Sequence, residues 1–74
     1  MPYDYAKLLG RIIEKFGSQA RFADAIGLSE RTVSLKLNGK LGWKQQEIAR
    51  CCAVLGLTPD DIPAYFFDLK VQLN

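Results

Sequence analysis

The side chains able to do covalent or metal chemistry are few and poorly spaced. Histidine is absent, which removes the commonest general base and the commonest zinc ligand together. The two thiols are the adjacent Cys51 and Cys52. On a helix they would point roughly 100° apart, and with no further soft ligands they are expected to fill core rather than bind metal. No phosphate-cradling glycine motif occurs. The chain is therefore expected not to be an enzyme and to need no cofactor or metal. Recognition chemistry is better supplied. Residues 31–50 carry Arg31, Lys36, Lys40, Lys44 and Arg50 against Glu47 alone, whereas residues 1–30 balance four cations with four anions. Residues 51–74 hold Asp60, Asp61 and Asp68 against Lys70. A basic block on a chain of net charge +2 fits a polyanion met by one face, although a merely solvated surface would carry the same excess.

Helical periodicity supplies the elements that would position these groups. Tyr5, Leu8, Leu9, Ile12, Ile13 and Phe16 form one stripe over three turns, with Asp4 as a cap and Gly17 as the stop. Gly10 lies inside this helix at a cost of about 1 kcal/mol relative to alanine, for no reason visible in the sequence. Ser18 caps a second helix of about eight residues with Phe22, Ala23 and Ile26 inward. After Gly27-Leu28-Ser29, a third helix is predicted from Glu30 to about Leu37, ending at Asn38-Gly39. Ser29 is its cap, and Leu28 and Val33 form a hydrophobic staple. A fourth begins near Gln45 with Ile48, Cys51, Cys52 and Leu55 inward, and Gly56 closes it. Thr58-Pro59-Asp60-Asp61-Ile62 carries helix-start signals, yet Pro63 disfavours a helical Ile62, so this turn should stop or restart there. From Phe67 the period changes to alternation, with Phe67, Leu69, Val71 and Leu73 apolar, the pattern of a strand with one buried face. No second convincing strand exists in the chain, so pairing with a second copy is the natural inference. A short helix or extended packing stays open.

Residues 18–38 have the spacing of a helix–turn–helix corner. Ala23 must be small where two helices cross, Gly27 must take a turn conformation that most residues avoid, and Val33 must plug the angle. The stretch SQARFADAIGLSERTVSLKLNGK, followed by a helix ending in AVLGL, resembles the helix–turn–helix proteins of the phage repressor and Cro type over residues 4 to about 62. More narrowly, GWKQQEI and IPAYFF are similar to a family of small, poorly characterised prophage proteins. The implied fold is mainly α, four to five short helices in a lambda-repressor-like DNA-binding domain over 1–62, with 63–74 as an extension.

The third helix tests this resemblance by geometry. Val33 and Leu37 share one side, while Arg31, Ser34, Leu35 and Asn38 cluster on the other with Glu30 at their edge. Eight residues make a rod about 12 Å long, comparable to the ~12 Å width of the major groove of duplex DNA. The resemblance implies that Glu30 and Arg31 reach base edges. Arg31 could donate twice to a guanine, with Glu30 holding it in place or accepting from a cytosine. Ser34 would share that face, and Leu35 could pack on a thymine methyl group. Gln19, at the start of the second helix, matches the residue that bonds a phosphate in that family. Asn38, Lys40 and Lys44 would touch the backbone and fix register, Asn38 doubling as a helix cap. Trp43 is expected to cover the core edge beneath its loop.

Tyr65, Phe66 and Phe67 are too many aromatics for so small a core, so together with Leu69 and Val71 they are expected to join two copies. A chain of 74 residues, 49% hydrophobic and 24% charged, reads as one globular domain that withholds about 60–65% of its unfolded surface from water. It has no apolar run near the ~20 residues of a membrane span, no signal-peptide pattern and no disulfide framework, so a cytoplasmic protein is expected. The leading expectation is a dimeric transcription regulator on a pseudo-palindromic duplex operator. The alternative is a phage modulator that keeps this shape but binds a repressor protein.

Overall fold

The computed structural model describes residues 3–69. Five short helices follow one another: α1 (Ala6–Phe16), α2 (Gln19–Ile26), α3 (Glu30–Leu37), α4 (Gln45–Leu55) and α5 (Ile62–Phe66), the last entered through a 3-10 turn at Pro59–Asp61. Each helix is too short to stand alone and is held by the apolar face it buries. Leu8 and Ile12 of α1, Phe22, Ala23 and Ile26 of α2, Val33 of α3, and Cys51 and Leu55 of α4 make the core, closed at one end by Tyr5 and Phe66. The predicted α1 stripe is wider than the side that is covered, since Ile13 stays 45% exposed.

Local signals set the ends. Ser18 Oγ accepts from Arg21 N at 3.2 Å and Ser29 Oγ from Thr32 N at 3.1 Å, each satisfying an orphan amide of the helix it starts. Gly27 takes a left-handed conformation, φ 75° and ψ 28°, and Leu28 N then reaches back to Ala23 O at 3.0 Å. Thus α2 turns into α3 within three residues. Asp4 accepts from Ala6 N at 2.8 Å, as expected of a cap, although the helix itself begins beyond Tyr5.

The C-terminal part departs from expectation in two ways. Ile62 is helical, φ −55° and ψ −47°, despite the proline that follows. Pro63 stands in the first turn of α5, where its missing N–H is no loss, and the turn restarts rather than stops. Among the described residues the alternating segment makes an isolated antiparallel bridge, Leu69 with Tyr3, supported by Asp4 N donating to Asp68 O at 2.7 Å. Its partner is the start of the same chain, because α1 packs on α5 and brings the two ends together. Val71 and Leu73 lie outside the described residues.

Candidate functional site

The outward side of α3 is where the sequence places recognition, and its side chains lie as the periodicity requires. Glu30 and Arg31 are exposed, Ser34 and Leu35 half-buried, and Val33 fully buried against α2. Asn38 closes the helix, its Nδ2 donating to Ser34 O at 2.8 Å, so its amide is already engaged as a cap. Lys40 and Lys44 are exposed just beyond that end, and Gln19 is half-buried at the start of α2. Arg31, Lys40 and Lys44 enter no ion pair among the described residues. They leave an open cationic edge along α3 and its following loop.

That loop is held from within. Lys36, counted in sequence as part of the basic block, is 2% exposed. Its Nζ donates to Gly42 O at 2.6 Å and meets Glu47 Oε1 at 2.7 Å, with the Trp43 ring centroid 5.6 Å away. The same Glu47 oxygen accepts from Lys44 N at 2.8 Å, capping α4. Burial pushes the Glu47 carboxyl up, but the bonds from Lys36 and Lys44, with their charges, outweigh it and hold the group below its ordinary value. One ion pair therefore ties the end of α3, the loop carbonyl and the start of α4 together, and so fixes where Lys40 and Lys44 stand. Lys36 itself is unavailable to any partner.

Trp43 seals the core edge, as expected, with its ring edge-on to Phe66 at 5.5 Å and to Tyr5 at 6.4 Å. Its indole N–H is buried without an acceptor. Cys51 is fully buried, and burial, with Cys52 beside it, pushes its thiol up to about 12. Burial raises Cys52 as well. Neither is poised as a thiolate.

Comparison with known proteins adds a family. The DUF739 model, described as a protein of unknown function, matches residues 1–69. The chain belongs to the DUF739 family. Among solved structures, this DUF739 chain is similar to the solution structure of the modulator of repression (MOR) of the temperate bacteriophage TP901-1 from Lactococcus lactis. The two are 61% identical over 97% of each chain, with a TM-score of 0.79. No curated protein matches the sequence.

Of the residues expected to join two copies of the DUF739 chain, Phe66 does not lie on the surface. It is 1% exposed and belongs to the chain's own core, its ring packed edge-on against Trp43. Tyr65 is half-buried with Lys7 Nζ 5.0 Å over its ring. Phe67 and Leu69 are exposed, and Val71 is outside the described residues. Sequence reading also missed Arg11, which donates from Nε and Nη2 to Leu55 O at 3.1 and 2.9 Å. It ties α1 to the orphan carbonyls at the end of α4. Only the helical phase of Arg11, beside the buried Ile12, hinted at that role.

Proposed function

We propose that this DUF739 chain is a phage or prophage modulator of repression that acts in the cytoplasm, without catalysis, by binding a repressor protein. The observation that carries this reading is the 61% identity to MOR across 97% of both chains. It reverses the order in which the sequence alone ranks a DNA regulator and a repressor-binding modulator. Near-neutral charge fits the reversal, as does an acid, Glu30, at the leading end of α3, where phosphates would be repelled. The test is calorimetric titration of the purified chain with the TP901-1 repressor, followed by operator binding of the mixture. A complex whose operator occupancy differs from that of the repressor alone is expected. Absence of any complex would reject the reading.

A second reading is favoured by one feature, the open edge of Arg31, Lys40 and Lys44 beside an eight-residue helix. On this reading Glu30, Arg31, Ser34 and Leu35 face bases, Gln19, Asn38, Lys40 and Lys44 face phosphates, and two copies share a pseudo-palindromic duplex. Counterion release makes such binding fall steeply with salt. Binding of the chain alone to random-pool duplexes, with Lys40→Ala reducing the salt slope by about one, would establish this reading.

A further inference from the structure

Beyond the cationic edge of α3 lies a trench that is of mixed lining near Asn38 and Asp4 and mainly apolar where Trp43, Ile48, Ile62 and Phe67 line it. Three hollows of about 240, 320 and 500 Å³ run together. The first shares Tyr3, Tyr5 and Gly39 with the second, and Trp43, Ile48 and Phe67 with the third. One wall is the end of α3 with the loop to α4, the other Tyr3, Tyr5, Phe66 and Phe67, and the start of α4 floors the third hollow. Of the four exposed large hydrophobic residues among those described, Leu41 (45%) and Phe67 (50%) line these hollows, whereas Leu69 and Ile13 do not. Single exposed apolar side chains are ordinary. Leu41 and Phe67, facing each other across a hollow that Trp43 and Ile48 also line, leave a contiguous patch of the kind that marks an interaction surface.

The charges on its two lips differ. Lys40 and Lys44 flank the loop wall, exposed and in no ion pair among the described residues, while Asp68 stands exposed between Phe67 and Leu69 on the other. We propose that this trench is the seat of the repressor protein, which enters it with an amphipathic helix. The apolar stripe of that helix faces Trp43, Ile48 and Phe67, its carboxylates line the edge toward Lys40 and Lys44, and a base meets Asp68. A groove with apolar lining and charged lips is the kind of surface that an amphipathic helix fills with anchors at i, i+3 or i+4, and i+7. The inference rests on the modulator reading and adds to it the surface used and the chemistry of the partner's segment.

The sole tryptophan, Trp43, lines two of the hollows and reports occupancy by its emission. Titration with full-length TP901-1 repressor should shift that emission. Leu41→Ser and Phe67→Ser should each weaken binding about ten-fold, the effect of removing one well-buried anchor. The fully surface variant Lys40→Glu/Lys44→Glu should weaken it comparably at low salt without touching the core, and Ile13→Ser should bind as wild type. Wild-type affinity in all three trench variants would overturn the trench and leave the modulator reading intact. Failure of the wild-type chain to bind would overturn both. Sedimentation of the chain alone supplies the remaining arm: a dimer abolished by Phe67→Ser would assign the trench to a second copy and overturn the proposal.

Discussion

On one side of α3 lies the corner it makes with α2; on the other lie the loop to α4 and the trench. The corner is fixed by residues close in sequence: Ser18 and Ser29 as caps, Gly27 at its left-handed turn, and Val33 buried four places after its cap. The far side is fixed by partners distant in sequence. Lys36 finds Glu47 across the loop, Trp43 finds Phe66, and Leu69 finds Tyr3. The first region is rigid because each residue has little local choice. The second is rigid only while a few tertiary contacts hold, and it is the one that presents the exposed apolar side chains.

The sharpest way to break that contrast is Lys36→Met. It leaves the Glu47 carboxylate buried without its cation, which costs about 3–5 kcal/mol. A chain of this length has a total stability on the order of 4–11 kcal/mol, so the variant should be near unfolding in urea titration. The double variant Lys36→Met/Glu47→Leu should recover most of the loss, because a well-packed apolar pair avoids the desolvation penalty. A single-variant cost below about 1 kcal/mol would mean that water reaches the pair, as at exposed ion pairs. Acid should act through the same group. The folded Glu47 titrates below its ordinary value of 4.5, so its stabilisation is complete above that value and disappears as pH falls through the folded value. The double variant should lack this part of the acid slope when Tm is followed between about pH 5 and 3.

These contrasts also explain what the sequence revealed. The bounds of α3 and the start of α4 follow from Ser29, Asn38-Gly39 and the apolar period, and the outward placement of Arg31 follows from Val33 being inward. Lys36 gave no such signal. Its position lies on the inner side of α3, three places from Val33, but a lysine there reads as surface until a carboxylate is known to arrive from another helix. Phe66 misleads for the opposite reason. A row of three aromatics suggests a surplus for a partner, whereas the volume beneath Trp43 that takes one of them appears only once α5 packs on α1. The alternation from Phe67 predicts a strand, but Phe67 itself is not extended, and among the described residues the segment yields one bridge, Leu69 with Tyr3, a single residue without any strand pattern of its own.

A smaller effect tests the corner. Gly27→Ala meets no atom within 4 Å, so its cost is conformational alone, at φ +75°. A left-handed alanine costs about 1–2 kcal/mol, which in a domain of this size lowers Tm by about 4–8 °C per kcal/mol. The corner should keep its shape, and repressor binding through the trench should be unchanged in the folded fraction. A loss of binding at temperatures where the variant is fully folded would show that the two sides of α3 are coupled.

The smallest effect concerns Gly10, which interrupts the otherwise regular α1. A Cβ there would meet nothing within 4 Å, and the residue is exposed with no left-handed φ. Neither space nor backbone geometry therefore requires glycine among the described residues. Gly10→Ala should stabilise the chain by about 0.5–1 kcal/mol, through helix propensity and the lost freedom of the unfolded chain. The measurement is a thermal melt of the variant beside wild type. A rise in Tm with unchanged repressor binding would make Gly10 a position without a binding role. A rise accompanied by weaker binding would assign the bare backbone of α1 to a close approach by the partner, extending the contact surface from the trench, whose second hollow already touches Leu9, onto the neighbouring turn of that helix.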